Sequence, residues 1–243
     1  MNILITGASG GIGFLTGLVL GSRNHNVYMC TKTYEEEKIL KEKVKYLNLD
    51  INVLKLDVTN KDDRELINNL DLDCIFLHAG VGYTGLLKDI DIDLVRDNFE
   101  VNVFSNMELI KIFLNKNEEL PKKVVVTSSL FSNHACPYFG SYILSKACIY
   151  LMMKIYKNEN ILSNNKFILI KPGAYHTGFN QYLALTGEKN GVNKELVSLF
   201  EKLFYLSESK DITSIVVDIV YAIEKSTCFK YSKPFIQTLL LDK

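Results

Sequence analysis

Little in this sequence points to a metal, a membrane or a polyanion. Histidine is scarce: His25, His78, His134 and His176 stand far apart and outside any short ligand motif such as HExxH, so no metal site is expected. Cysteine is sparse too. Five residues, an odd number without paired metal spacing, read as free thiols in a reducing compartment, and a cytoplasmic location is expected. Neither charge predominates, since 28 Lys and Arg offset 28 Asp and Glu, and nucleic acid is not an expected partner. Apolar runs are too short and interrupted to span a bilayer, and no basic region precedes an apolar targeting core. No membrane partner is expected. Low-complexity tracts and internal repeats are missing as well.

What is present is a core. An apolar fraction of 47 % over 243 residues is enough for one domain spanning residues 1–243. The most informative stretch comes first. Asn2 to Thr6 is a β-branched run, Gly7-Ala8-Ser9-Gly10-Gly11-Ile12-Gly13 follows, and Phe14 to Leu20 is apolar with helical period. Strand, glycine-rich turn and helix are thus packed into about twenty residues. Glycine permits the tight turn and removes side chains that would block a phosphate. The turn then presents the free N–H groups of a helix N-terminus to an anion. Gly7, Gly11 and Gly13 fit a pyrophosphate cradle, Gly13 by allowing close helix–strand packing. A glycine-rich turn with no ligand is the alternative for this stretch alone.

Asn26 to Cys30 reads as a second strand, with Thr31 and Lys32 just beyond its end. In a doubly wound sheet this position reads the adenosine ribose. No acidic residue occupies it before Glu35, so Lys32 and Thr31 suit a 2′-phosphate and favour NADP(H) over NAD(H). A solvent-facing lysine is the alternative. Glu35 to Asn48 is helical, and Ile51 to Leu56 is a strand closed by Asp57. Asp57-Val58 can meet the adenine edge, or Asp57 can cap a helix starting near Thr59. Leu72 to His78 is the next strand, followed by Ala79-Gly80, where Gly80 lets a cofactor approach the backbone and His78 makes a local hydrogen bond.

Leu94 to Leu114 is a long helical pattern with Asn102 inside it. Asn102 is either an exposed helical residue or a kink that frees a backbone carbonyl for ordered water. Val124 to Thr127 is a strand ended by Ser128-Ser129, which puts Ser129 at the strand edge where ligands gather. Phe131 to Gly140 reads as irregular loop. Tyr142 and Lys146 then share one face of a helix running from about Ser141 to Asn158. Lys166 to Ile170 is a strand, Pro172-Gly173 a firm turn at the same sheet edge, and Thr177 a donor to a cofactor amide or phosphate, or a plain loop threonine. Residues 178–206 read as a substrate lid, starting with a small helix. Val197 to Leu206 and Lys210 to Glu224 read as helices, and Lys233 to Leu241 as a last strand. The alternation predicts an α/β fold with a doubly wound parallel sheet and helices on both faces.

Thr6 to Gly13, Asp57, His78-Ala79-Gly80, Asn102, Ser129, Tyr142, Lys146 and Pro172-Gly173 with Thr177 together resemble the classical short-chain dehydrogenase/reductase family, over nearly the whole chain. His78 departs from the asparagine usual before Ala-Gly, and the family's C-terminal glycines are missing after Leu241-Asp242. The resemblance implies a Rossmann-like domain that transfers hydride between nicotinamide C4 and a carbonyl or alcohol carbon. It implies Ser129, Tyr142 and Lys146 as catalytic, with Asn102 holding a relay water. Cofactor contacts would come from Gly7, Ser9, Gly10, Gly11, Ile12, Gly13, Thr31, Lys32, Asp57, Val58, Ala79, Gly80, Tyr142, Lys146, Pro172, Gly173 and Thr177. It further implies a small carbonyl or alcohol substrate, and a homodimer or homotetramer joined through Val103 to Leu114 and Ile149 to Tyr156. Phe131, His134, Phe139, Tyr175, Phe179 and Tyr182 are candidate pocket walls. A sugar-nucleotide epimerase or dehydratase, and a non-catalytic dinucleotide-binding protein, are the other readings.

Overall fold

The computed structural model describes residues 1–116, 121–160, 163–207, 209–225 and 230–232. In chain order the elements are β1 (Asn2–Ile5), α1 (Gly11–Ser22), β2 (Asn26–Thr31), α2 (Tyr34–Tyr46), β3 (Asn52–Lys55) and α3 (Lys61–Glu65). There follow β4 (Cys74–Leu77), α4 (Ile92–Phe99), α5 (Ser105–Asn115), β5 (Lys123–Thr127), α6 (Gly140–Glu159) and β6 (Lys166–Lys171). Last come α7 (Phe179–Lys189), α8 (Lys194–Ser207), α9 (Thr213–Glu224) and β7 (Lys230–Ser232).

The strands are short apolar runs, as expected where a sheet is covered on both faces. Cys74 to Leu77 and Val124 to Val126 are wholly buried, and each such side chain contributes about 1.5–3 kcal/mol. The strands form one sheet in the order β3-β2-β1-β4-β5-β6-β7, and every pairing is parallel. One core lies beneath α1, α2 and α9, with Ile5, Met29 and Ile219 at its centre. The other lies beneath the α4–α6 side, around Leu4, Leu109, Val124 and Ile149. The fold is therefore the doubly wound one. Its strand order reverses between β1 and β4, and ligands bind such sheets in the crevice at that switch point.

Several local expectations are corrected. Thr31 belongs to β2 rather than lying past it. It is buried, and its hydroxyl is directed at the Thr33 and Leu54 carbonyls at 3.4 and 3.5 Å. Helix α3 is capped by Asn60, which accepts from Asp63 N, and not by Asp57. The loop after Ser129 opens with a 3₁₀ turn over Leu130–Asn133. The expected strand from Lys233 to Leu241 lies outside the described residues; a strand is found just before it, at Lys230–Ser232, paired with β6.

The long helical pattern around Asn102 is real but not uniform. Between α4 and α5 the backbone runs through a π turn at Glu100–Phe104. Such turns are rare and concentrate at functional sites.

Candidate active site

Two chain segments meet at the switch point. Gly7 follows β1 with φ +66°, and a Cβ there would stand 2.7 Å from Ala79 Cα, just past β4. A Cβ at Gly13 would stand 2.5 Å from the Gly7 carbonyl oxygen and 2.9 Å from His78 Cδ2. These two glycines are demanded by the protein's own packing. Gly10 is different. Its backbone is extended and a Cβ there would meet no protein atom within 4 Å. It faces open space beside the start of α1, whose first amides have no side-chain cap and no acidic neighbour in the first turn. That is the chemistry of an anion cradle. Ser9 is exposed on its rim, Ile12 is anchored in the core, and Thr177 closes over Gly11, its Cβ 3.2 Å from where a Gly11 Cβ would be. A dinucleotide pyrophosphate fits these residues.

At the adenosine end, Asp57 Oδ1 accepts from the Thr59 amide and hydroxyl at 2.9 and 2.8 Å. Oδ2 carries no protein hydrogen bond among the described residues. Val58 is buried, and the Arg64 guanidinium, itself paired with Glu108, holds its carbonyl at 2.6 Å. Lys32 is exposed at the mouth of α2, with its amide donating to Glu36 Oε2 at 2.8 Å.

The reactive end is built from α6, the end of β5 and the π turn. Lys146 is buried and donates from Nζ to the Thr127 carbonyl at 3.2 Å; burial pushes its pKa down to about 8. Tyr142 lies one helical turn earlier, its ring 5.7 Å from Lys146 Nζ. Burial pushes its phenol up to about 12, opposed by a hydrogen bond from the Ser129 side chain. Ser129 is buried, its Oγ accepting from Phe131 N at 3.2 Å. Leu130 N donates to the Pro172 carbonyl at 2.9 Å, which ties the Pro172-Gly173 turn to this edge. Tyr142, Lys146 and Ser129 thus converge beside the glycine turn.

Asn102 is fully buried, which removes the exposed-helix alternative. Its side chain clamps Val81, accepting from the Val81 amide and donating to the Val81 carbonyl, both at 2.9 Å. Its own carbonyl is not left free, because Asn106 Nδ2 donates to it at 2.7 Å. Gly80 is also read differently. A Cβ there would come within 3.1 Å of Asn102 Oδ1 and 3.2 Å of Lys146 Nζ, so these side chains crowd the position from the protein side. Ala79 N and His78 N both donate to Thr6 Oγ1. His78 Nδ1 lies 3.0 Å from Thr127 Oγ1 and links β4 to β5; burial, then Lys146, push its pKa down to about 4.

The sequence reading missed a polar seam. Asn98, Asn102 and Asn106 recur every four residues, all buried; Asn98 and Asn102 donate to Ser141 and Ser145 of α6, and Asn106 to the Asn102 carbonyl. That spacing on one helical face was the available signal. Of the proposed walls, Phe179 faces Tyr142 with ring centroids 5.6 Å apart, whereas Tyr175 belongs to the core and Phe139 packs on Phe200 and Phe204.

Fold and site define a dinucleotide-binding α/β protein. Comparison gives the family. Residues 1–187 match the model of the short chain dehydrogenase family, and the chain belongs to it; this is a family of NAD(P)-dependent oxidoreductases. Among curated relatives, an uncharacterised oxidoreductase of Bacillus subtilis is 26 % identical over 184 residues, covering 72 % of this chain and 65 % of that protein. A 3-ketodihydrosphingosine reductase of Bacteroides thetaiotaomicron is 26 % identical over 216 residues, covering 86 % of this chain and 76 % of that protein. Among solved structures, an alcohol dehydrogenase of Thermococcus sibiricus complexed with 5-hydroxy-NADP superposes with a TM-score of 0.78 at 20 % identity, covering 98 % of this chain and 97 % of that one. A Burkholderia phymatum family member in complex with NAD gives 0.82 at 17 % identity, covering 95 % and 88 %. No helix among the described residues is long and apolar enough to cross a membrane, and none of them form a His/Cys/Asp/Glu cluster suited to a metal.

Proposed function

We propose that this protein is an NADP(H)-preferring reductase of a ketone or aldehyde. The observation that carries the reading is the convergence of Tyr142, Lys146 and Ser129 beside an uncapped helix N-terminus at the switch point. When bound, nicotinamide supplies the hydride at C4. The chain's own groups do the rest. Ser129 Oγ, whose hydrogen bond goes to Tyr142 in the free chain, would turn to the substrate oxygen and orient it. Tyr142, a full phenol at neutral pH, gives its proton to that oxygen as charge develops there. The Lys146 ammonium would then stabilise the phenolate left behind, and it is the group that would hold the nicotinamide ribose hydroxyls. Asn102 fixes the Val81 backbone beside Lys146, and water reaching this edge would return the proton. Phe179 puts an apolar ring beside Tyr142, backed by the buried Leu183, which suits a ketone with an apolar body; a 3-ketodihydrosphingosine reductase among the relatives agrees with that class. NADPH oxidation by the purified chain against ketone, aldehyde, acyl-thioester and sugar panels tests the reading; no turnover with any carbonyl overturns it.

Cofactor preference rests on Lys32, exposed at the ribose position with no acidic residue at Thr31. Lys32→Glu should weaken NADPH binding roughly tenfold and leave NADH binding nearly unchanged, since only the 2′-phosphate is lost as a partner. Fluorescence titration of both cofactors decides this, and tighter NADH binding by the native chain removes the proposal. The described cysteines are free thiols, which fits a cytoplasmic setting.

The chain is further proposed to pair with a second copy. Phe104 and Met107 beside Leu144, Leu151 and Ile155 leave large apolar side chains exposed on the π turn, α5 and α6. Isologous contact of such a face suits a dimer or tetramer. Sedimentation at micromolar concentration should show an oligomer; a stable monomer would exclude it.

A further inference from the structure

The segment from Val81 to Gly85 connects β4 to α4, and each residue along it is held by a different part of the molecule. Val81 is clamped by Asn102. The Tyr83 carbonyl accepts from Ser141 Oγ at 3.0 Å, one residue before Tyr142. The Tyr83 phenol donates to Asp97 at 2.6 Å. On its other side the segment grips α7: Thr84 N donates to Thr186 Oγ1 at 3.0 Å, and the Thr84 carbonyl accepts from Asn190 at 2.9 Å. Phe179, Leu183, Thr186 and Asn190 follow helical spacing, so a single face of α7 lies along this segment.

Gly82 is where the two sides touch. A Cβ there would stand 3.0 Å from Tyr142 Cδ2 and 2.5 Å from Leu183 Cδ2. Its φ is not in the left-handed region, so no backbone conformation calls for glycine. Space alone does. Leu183 is 3 % exposed and Phe179, one turn earlier on α7, faces the Tyr142 ring.

We propose that Gly82 is a positioning residue: its missing side chain seats α7 against Tyr142 and sets the gap in which substrate meets the phenol. The proposal rests on the reading of Tyr142 as the acid–base group. It makes α7 the substrate-side wall of the site, with Gly82 deciding how closely that wall approaches. A methyl group at 82 displaces Leu183 first, since a methyl at the end of a side chain yields before a helix-borne ring. Phe179 then moves away from Tyr142, while the glycine turn and Lys146 stay in place.

The test uses the full chain. Gly82→Ala is expected to keep NADPH affinity within twofold, to lower kcat at least tenfold on the best carbonyl, and to raise amide hydrogen exchange across residues 179–189. Adding Leu183→Ala makes room for the new methyl and should recover most of the lost kcat. Leu183→Ala alone loosens the same contact from the other side, with faster α7 exchange and unchanged NADPH affinity. Native kcat and native exchange in Gly82→Ala overturn the proposal, as does a double variant no faster than the single one. Should the native chain turn over no carbonyl, the acid–base reading fails; exchange across α7 then judges the seat contact on its own, and native exchange in both single variants rejects it.

Discussion

Replacing Tyr142 by Phe is expected to lower turnover by roughly 100-fold or more while NADPH still binds with near-native affinity. The ring stays, and with it the packing on Phe179 and the approach of Lys146 over the ring face. Only the hydroxyl goes, and with it the bond to Ser129. A phenol is protonated at neutral pH and burial only reinforces this, so the lost group is a proton donor, and among the described residues no other tyrosine bonds Ser129. Thermal stability should change little, because a buried hydroxyl and its desolvation cost leave together. Lys146→Ala should act on both quantities, weakening NADPH binding and lowering turnover. Steady-state rates paired with fluorescence titration separate the outcomes. Near-native turnover in Tyr142→Phe removes the residue from the mechanism.

The second large effect concerns the glycine turn, where two substitutions should behave in opposite ways. Gly13→Ala sets a methyl group 2.5 Å from the Gly7 carbonyl oxygen, and neither partner is a flexible side-chain end. Helix α1 must move off β1. Loss of about 1–3 kcal/mol of stability, read as a fall in Tm, should accompany loss of NADPH binding by 100-fold or more. Gly10→Ala touches no protein atom, and its extended backbone accepts any residue. Its Tm should match the native chain, while NADPH affinity drops about tenfold as the methyl group enters the space meant for phosphate. Any affinity change at Gly10 therefore reports a ligand and not the fold. Native NADPH affinity in Gly10→Ala would show that no phosphate approaches that residue.

Most of the fold was legible because parallel strands buried on both faces leave apolar runs, and helices between them leave a clear period. The switch-point site was legible for a related reason. Glycines, Ser129, Tyr142 and Lys146 each sit at the end of a strand or on one helical face, where sequence spacing translates directly into space. What was not legible depends on contacts between distant segments. Gly80 is crowded by Asn102 and Lys146, and Gly82 by Tyr142 and Leu183. A lone glycine in a loop announces neither. Thr31 was misplaced by a single residue, and in a strand one residue is the difference between facing ligand and facing a neighbouring carbonyl. Asp57 lost its capping role to Asn60 because both types cap equally well and only the turn geometry chooses between them.

The π turn at Glu100–Phe104 carries one residue more than an α-helix of the same span would hold. Each residue turns an α-helix by about 100°. The two helices it joins are therefore out of phase: α4 keeps one rotational setting, and α5 resumes in another. Asn98 and Asn102 look toward the seam with α6, while Leu109, Ile110 and Phe113 still fall on the sheet. A straight α-helix would have to give up one of these alignments. The extra residue works as a phase shifter, letting one continuous helical rod serve a polar site at one end and an apolar core at the other.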